Sequence, residues 1–423
     1  MRVLVVGGYG LIGGYVVTRL AAGGHDVTGL GRAIAMAGRR FPQAAWVRAD
    51  LRDLRTPADW TPLLNGSEAV VNCAGALQDS PRDDVAAVQA RAATALFEAC
   101  AAAQVRLVHI SAAGVAPGAP TRFFQTKADA EADLKGLDLD WTILRPAFVL
   151  APTAYGASAL LRGLAAFPGF IPALYPDAIV QVVSVLDVAE AVARALEPGA
   201  PARIVLDLAD PAPTRLRDIL TALRAWLGLA PAPVLAIPPV LARLAGWASD
   251  AIALLGWRSP MRSTAIAQLK AGVTADPPSG LATLAEMLAA WPAGVQERWF
   301  ARAYVLKPAM LVVLAGFWTA SGLIALTVGH AAALATAKAA LPAGAAEALV
   351  DGGAVVDIAL GLSAGVRALA GLALKGMVGV SAVYLIGASV LAPALWSDPL
   401  GPLVKVVPTM LLALAALALL DER

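Results

Sequence analysis

The sequence predicts an α/β fold, a doubly wound parallel sheet with a small helical lobe, followed by an all-α transmembrane bundle of about four helices. Three observations indicate this. Up to about residue 300, short strand-like runs alternate with helical patterns, which is typical of a parallel sheet covered on both faces. Hydrophobic residues make up 58% of the chain and charged residues only 15%, so part of the chain is suited to lipid. The longest apolar stretches all lie beyond that residue.

The N-terminal region supplies the strands and helices of the predicted sheet. The clearest strands are Val3–Val6, Ala69–Asn72, Leu107–Ser111 and Thr142–Leu144. The stretch Val85–Ala103 has helical periodicity. From Pro211 the pattern changes to short helices around the proline-rich passage Ala230–Pro239, which predicts a small lobe over residues 211–298. The first domain is therefore predicted to span residues 1–298.

Apolar stretches in residues 299–423 predict the transmembrane domain. They are Pro308–Val328, Gly353–Val366, Ala368–Leu391 and Pro402–Leu420. Because a span needs about 20 apolar residues, the second stretch is borderline and the other three are long enough.

Basic residues before the first span predict its orientation. Arg298, Arg302 and Lys307 favour the cytoplasm for that end, whereas the Gly329–Gly352 loop has no positive excess and suits the outer face. An even number of spans then returns residues 421–423 to the cytoplasm. The predicted location is the cytoplasmic (inner) membrane, with a multi-pass anchor and the N-terminal domain in the cytoplasm.

Charge and cysteine usage restrict the partners. The net charge is +2 and no Lys/Arg block is present, so we expect no nucleic-acid partner. The two cysteines, Cys73 and Cys100, fit a reducing compartment. The histidines are scattered, which predicts no metal site, and His109 within an apolar strand is expected to be a core residue.

A glycine-rich turn follows the first predicted strand and precedes the amphipathic stretch Leu11–Ala22. Gly7 allows a tight turn, Gly10 lets the backbone approach a pyrophosphate, and Gly13 lets the helix pack on the strand. The N–H groups at the start of the helix then face the phosphates. In this position the pattern predicts a Rossmann-type dinucleotide site.

The residues after the second predicted strand, Asp26–Leu30, bear on which dinucleotide is preferred. NAD-preferring sites place a carboxylate there to accept from the 2′-hydroxyl of the ribose. Here Arg32 follows, with Arg39 and Arg40 nearby, and a guanidinium suits a 2′-phosphate. NADP(H) is therefore favoured over NAD(H), and the alternative is that Arg32 is a solvated loop residue.

Several motifs in residues 1–298 resemble the extended and atypical short-chain dehydrogenase/reductase superfamily. They are Gly7-Gly8-Tyr9-Gly10-Leu11-Ile12-Gly13, Asp50-Leu51, Asn72-Cys73-Ala74-Gly75, Leu144-Arg145-Pro146 and Val185-Leu186-Asp187-Val188-Ala189. The resemblance implies that Asp50 and Leu51 lie at the adenine. It implies that Cys73, Ala74 and Gly75 line the cofactor and that Pro146 lies near the nicotinamide. The chain is most similar to the branch that contains an accessory subunit of respiratory complex I.

The catalytic position departs from that superfamily. The family uses Tyr-x-x-x-Lys with a serine on the preceding strand, and Ser111 and Lys127 occupy the serine and lysine positions. The tyrosine position holds Phe123, which has no proton to give. The resemblance leaves Lys127 the role of holding the nicotinamide ribose and leaves Ser111 either a binding role or a hydroxyl satisfied by backbone. Tyr155 is the nearest later tyrosine.

The membrane half resembles the DoxX-like family over Leu391–Leu403, continuing to Lys405 and Pro408. Ionisable groups within spans are candidates for function. The three to consider are Asp357, Arg367 and Lys375, and the alternative is that they lie near span ends and extend to the interface.

Three functions stay open. The first is a membrane-bound oxidoreductase that passes reducing equivalents from NAD(P)H to a lipophilic, quinone-like acceptor. The second is a non-catalytic NAD(P)H sensor or an assembly factor of a membrane complex. The third, which Phe123 disfavours, is a conventional epimerase or dehydrogenase.

Overall fold

The computed structural model describes residues 1–75, 84–119, 121–277 and 280–420, so the predicted cytoplasmic end at residues 421–423 lies outside the described residues. The chain folds into two compact units. Unit 1 is Met1–Asp250 with Ser259–Arg298, and unit 2 is Ala251–Arg258 with Trp299–Arg423.

The strands all belong to unit 1. Within the described residues they are β1 (Arg2–Val6), β2 (Asp26–Gly31), β3 (Ala45–Arg48), β4 (Ala69–Asn72), β5 (Arg106–Ile110), β6 (Trp141–Pro146), β7 (Phe148–Leu150), β8 (Ile171–Ala173), β9 (Ile179–Val180), β10 (Val182–Ser184), β11 (Ile204–Leu208), β12 (Thr214–Arg215) and β13 (Val234–Ala236).

Most of the helices that lie wholly or largely in unit 1 alternate with these strands. They are α1 (Leu11–Ala22), α2 (Ile34–Arg40), α3 (Pro57–Leu64), α4 (Ala92–Ala103), α5 (Arg122–Lys135), α6 (Gly156–Ala165), α7 (Val185–Ala195), α8 (Leu216–Trp226), α9 (Pro239–Leu254), α10 (Ser263–Ala271) and α11 (Leu284–Ala290). The predicted helix Val85–Ala103 begins with a π-helical turn at Ala87–Arg91 and continues as α4.

One parallel sheet with the strand order β11-β6-β5-β4-β1-β2-β3 organises unit 1, which confirms the predicted doubly wound fold. Apolar clusters cover both of its faces, as expected for strands that are buried on both sides. The order reverses between β1 and β4, so the loops after these two strands flank the position at which such sheets bind ligands.

Residues 211–298 are largely helical, and they also contain two short strands. β12 pairs with β9 and β13 pairs with β8, so residues after β6 contribute to the lobe. These strands are two or three residues long, which is too short for a periodic signal in the sequence.

Unit 2 is helical. Its helices are α12 (Val295–Leu326), α13 (His330–Lys338), α14 (Ala343–Ala364), α15 (Arg367–Leu391) and α16 (Pro402–Ala418), with a 3₁₀ turn at Pro393–Trp396. Among the described residues, α12 and α15 are long and apolar enough to cross a membrane. The prediction of a loop over Gly329–Gly352 was wrong, because α13 and the start of α14 occupy it. Both segments are rich in alanine, the strongest helix former.

Candidate functional site

The glycine turn joins β1 to α1 at the carboxyl edge of the sheet. Gly7 has a φ of 73°, in the left-handed region, and its carbonyl oxygen accepts a 2.9 Å hydrogen bond from Gly10 N. A Cβ on Gly13 would overlap that same oxygen and lie 2.9 Å from Gly8 Cα. The turn therefore requires glycine at position 13, and it presents backbone N–H groups at the start of α1, where a pyrophosphate fits.

The loop after β4 lies next to this turn. Ala74 N donates to Asn72 Oδ1 at 3.1 Å, which fixes the start of the Cys73-Ala74-Gly75 segment. A Cβ on Gly7 would lie 3.1 Å from Ala74 N, so the two loops are in close contact. The structure thus brings together these two predicted cofactor segments, which are far apart in sequence.

The predicted adenosine end is built by residues after β2 and β3. Tyr9 packs against Gly31, and its hydroxyl accepts a 3.3 Å hydrogen bond from Arg32 N. The Asp50 carboxylate binds the Arg52 guanidinium at 2.6 Å. Hydrogen bonds from Arg52 hold the pKa of Asp50 below its usual range, and the charge of Arg32 lowers it further.

The remaining predicted cofactor residues occupy structural positions around these loops. Ile12 and Leu51 are partly buried against the apolar clusters of the sheet. Leu11 begins α1. Pro146 ends β6, and its carbonyl oxygen accepts from Ala113 N at 2.9 Å.

Lys127 extends from α5 toward the end of β5. Its Nζ donates to the carbonyl oxygen of Ile110 at 3.0 Å and lies 5.6 Å from the centroid of the Phe123 ring. Burial lowers the pKa of Lys127 to about 8, although the charge of Glu131 opposes the shift. An ammonium has three N–H donors. Within the described residues one of them has a hydrogen-bond acceptor, the carbonyl oxygen of Ile110.

Ser111 is buried and its hydroxyl donates to Glu131 Oε1 at 2.6 Å. Glu131 also accepts hydrogen bonds from Arg145 and from Lys135. Burial alone would raise the pKa of Glu131, but the hydrogen bonds from Arg145, Ser111 and Lys135 hold it below the usual range. Ser111 is therefore engaged by an ion-paired carboxylate.

His109 and Cys73 are uncharged groups at the same edge of the sheet. Burial lowers the pKa of His109 to about 3, and its Nδ1 lies 3.3 Å from Asn72 Nδ2. Its ring meets Phe97 edge to face at a centroid distance of 5.1 Å, so it is a core residue. Burial raises the pKa of Cys73 to about 12, so its side chain stays a thiol.

Comparison with protein families identifies both parts of the chain. A family model described as NAD(P)H-binding matches residues 7–198, and the DoxX-like family matches residues 315–414. The chain joins an NAD(P)H-binding domain to a DoxX-like domain. No curated protein matches it.

Solved structures are similar to part of this chain. The Bordetella bronchiseptica enzyme WbmG in complex with NAD and UDP is 18% identical, with a TM-score of 0.48 over 56% of this chain and 83% of that chain. The Thermus thermophilus UDP-glucose 4-epimerase in complex with NAD is 22% identical, with a TM-score of 0.46 over 64% and 100% of the two chains. The Thermotoga maritima UDP-glucose 4-epimerase with UDP-glucose is 20% identical, with a TM-score of 0.47 over 56% and 86%.

The DoxX-like domain buries one carboxylate. Asp357 on α14 accepts hydrogen bonds from Ser321 on α12 at 3.3 Å and from Tyr384 on α15 at 3.1 Å. It therefore links three helices. Arg367 lies at the start of α15 and donates to the carbonyl oxygen of Leu420 at 3.2 Å, while Lys375 is an exposed side chain on α15.

The Glu131–Arg145 pair was not predicted from the sequence. Glu131 stands four residues after Lys127, one turn along α5, which places the two side chains on the same side of the helix. The spacing of four residues could therefore have indicated that Glu131 lies beside Lys127. Arg145 belongs to the Leu144-Arg145-Pro146 motif, but nothing in its own segment indicates that it contacts α5.

Proposed function

We propose that the protein is a multi-pass membrane oxidoreductase that binds NADP(H) and passes reducing equivalents to a lipophilic, quinone-like acceptor. The observation that supports it most directly is the pairing of Lys127 with Phe123. The lysine that serves cofactor binding is present and buried, while the acid that serves ketone reduction is replaced by a hydrocarbon ring.

The residues of the glycine turn and of the following loops fit a dinucleotide. The N–H groups at the start of α1 would bind the pyrophosphate, and Lys127 would hold the nicotinamide ribose. Arg32, which directly follows β2, is the proposed partner of a 2′-phosphate, which favours NADP(H) over NAD(H). When bound, the reduced cofactor supplies a hydride.

If the acceptor is a quinone, the site does not need the acid that is missing at Phe123. Hydride addition to a quinone gives a phenolate, whereas addition to a ketone gives an alkoxide, which is a much stronger base. The phenolate takes its proton from water and becomes the hydroquinone, so the site needs no positioned phenol. The oxidised cofactor is the other product, and atoms and electrons balance.

The helices of unit 2 support insertion in a membrane. We infer that α14 and α16 cross the bilayer together with α12 and α15. The hydrogen bond from Arg367 to Leu420 places the start of α15 and the end of α16 at the same end of the bundle, as expected for an antiparallel pair of spans. The basic residues before the first span favour the cytoplasm for the N-terminal domain.

The test is oxidation of NADPH by the full chain in liposomes that contain a ubiquinone analogue with a short tail. Coupled formation of hydroquinone is expected from the wild type. Lys127→Met should lose it, and Asp129→Ala, a change outside the buried side of the same helix, should retain it. Tight NADPH binding without oxidation would refute the proposal in favour of a non-catalytic NADP(H) sensor. That second candidate is supported by the engagement of Ser111 with Glu131.

A further inference from the structure

Helix α9 exposes its large apolar side chains and buries its small ones. The exposed fraction is 65% for Trp247 and 76% for Leu254, whereas Ala242 and Ala253 are almost fully buried. In a water-soluble domain the large apolar residues of a surface helix face the core. The arrangement in α9 is the reverse.

The exposed residues form one continuous stripe. Positions 240, 244, 247, 251 and 254 recur every three or four residues, so they lie on a single side of the helix. On the opposite side α9 packs closely against α10, since a Cβ on Gly246 would lie 3.1 Å from Ile266 Cδ1 of α10. Elsewhere in unit 1, exposed large apolar residues such as Val47 and Leu186 are isolated, which is ordinary.

The far end of this helix belongs to unit 2. Ala251–Arg258 is part of the same compact unit as the membrane helices, and Trp257 Nε1 donates to the carbonyl oxygen of Gly365 at 2.7 Å. Arg367 N donates to Leu255 O at 3.0 Å, and the Arg367 guanidinium lies 5.5 Å from the centroid of the Trp257 ring. Gly365 lies in the turn between α14 and α15, and Arg367 begins α15. Tryptophan and arginine at the end of a span are typical of the membrane–water interface.

We propose that the exposed stripe of α9 lies in the interfacial region of the lipid bilayer, as a second membrane contact besides the spans. The stripe, defined by Val240, Leu244, Trp247 and Leu254, ends in the segment that belongs to unit 2 and is fixed at the end of its spans. Arg243 borders the stripe and is exposed, which suits anionic headgroups. The inference rests on the proposed insertion of unit 2.

Spin labels test the contact in the full chain, reconstituted in phosphatidylcholine–phosphatidylglycerol nanodiscs. Labels are attached to Trp247→Cys and Leu244→Cys, with Ala103→Cys as the exposed water-side control and Val383→Cys on α15 as the span control. Cys73→Ala supplies the background, and Cys100 is buried and does not react. Collisions with oxygen report lipid, and collisions with a water-soluble nickel chelate report water.

Labels at 247 and 244 are expected to collide with oxygen and to be shielded from nickel, like the label at 383. The label at 103 is expected to collide with nickel. Nickel access at 247 and 244 would overturn the proposal. Immobilised labels shielded from both reagents would also overturn it, because they would indicate a second copy or another protein on the stripe. If the label at 383 is also accessible to nickel, then the proposed insertion of unit 2 is refuted as well as the proposed membrane contact of α9.

Discussion

The Ser111 hydroxyl donates a 2.6 Å hydrogen bond to Glu131 Oε1, and Glu131 is in turn paired with Arg145. In a tyrosine–lysine relay the serine hydroxyl serves the reacting carbonyl group. Here its proton points to a buried carboxylate, and the phenol is absent at Phe123. Of the two hydroxyl groups of such a relay, one is therefore hydrogen-bonded to Glu131 and the other is missing.

The buried ion pair between Glu131 and Arg145 should stabilise the N-terminal domain. Glu131→Ala leaves Arg145 half-buried without its carboxylate, and breaking a buried pair costs about 3–5 kcal/mol. The thermal midpoint of the N-terminal domain should fall by roughly 6–20 °C, since about 1 kcal/mol shifts it by about 2–4 °C in a domain of this size. Asp133→Ala, which removes an exposed carboxylate on the same helix, should change it little. Equal midpoints for both variants would contradict the role given to Glu131.

The same carboxylate predicts a response to acid. The pKa of Glu131 is lowered in the folded state, so its stabilisation is complete at neutral pH. It is lost as the pH falls below the usual glutamate range and through the folded pKa. The wild type should therefore lose more stability on acidification than Glu131→Gln, whose side chain does not titrate. Parallel pH profiles of the thermal midpoint would show that the pairing contributes nothing.

Cofactor affinity should fall as the pH rises through about 8, the pKa to which burial lowers Lys127. Below that value the ammonium donates to the ribose hydroxyls, and above it the charge is lost. A hydrogen bond to a charged group contributes about 1.5–3 kcal/mol, so the loss is about tenfold or more in affinity. The measurement is NADPH titration by fluorescence on both sides of that pH. Lys127→Met should bind weakly and show no such dependence, and a flat wild-type profile would refute the assignment.

The strands, the glycine turn and the order of the motifs could be predicted because each is a local signal. The hydrophobic run of β4 and the amphipathic run of α1 have the bounds that were predicted. The Glu131–Arg145 pair could not be predicted, because its two residues belong to a helix and a strand that come together only in the folded protein. Helix α9 is a similar case. From the sequence alone, its apolar residues would also fit a helix of a protein core. Only the structure shows that its large apolar side chains are exposed and its small ones are buried.

Arg32→Asp should reverse the cofactor preference. The substitution removes the guanidinium proposed for the 2′-phosphate and places a carboxylate where a 2′-hydroxyl would be bound. NADPH affinity should fall about tenfold or more, because a charged hydrogen bond is lost. NADH affinity should hold or rise. Arg39→Asp on α2 makes the same change of charge and should leave the ratio unchanged. An unchanged ratio in Arg32→Asp would exclude the 2′-phosphate contact.

Gly13→Ala should abolish cofactor binding. Its Cβ would overlap the carbonyl oxygen of Gly7, so the turn must shift away from the position that the pyrophosphate needs. Gly38→Ala is the matched control, since it lies in α2 and its Cβ meets only Trp46 at 3.8 Å. That control should bind normally and gain about 0.5–1 kcal/mol of stability from the helix propensity of alanine. Normal NADPH binding by Gly13→Ala would show that the cofactor does not use this turn.

With Phe123 in the acid position, the wild type should bind NADPH and show negligible turnover with ketones, secondary alcohols or nucleotide-sugars. General acid catalysis contributes about 10²–10⁴-fold, which sets the size of the deficit. Phe123→Tyr returns a phenol one helical turn before Lys127, whose Nζ lies 5.6 Å from the ring at that position.

The phenol alone does not complete the relay, because Ser111 still donates to Glu131. Phe123→Tyr should therefore raise ketone reduction only in part, and steady-state NADPH oxidation with a panel of small ketones measures the gain. Phe124→Tyr is the control, since it adds a phenol at the neighbouring buried position. Robust ketone reduction by the wild type would contradict the prediction and show that another acid serves. Tyr155, at the start of α6, would then be the first residue to replace.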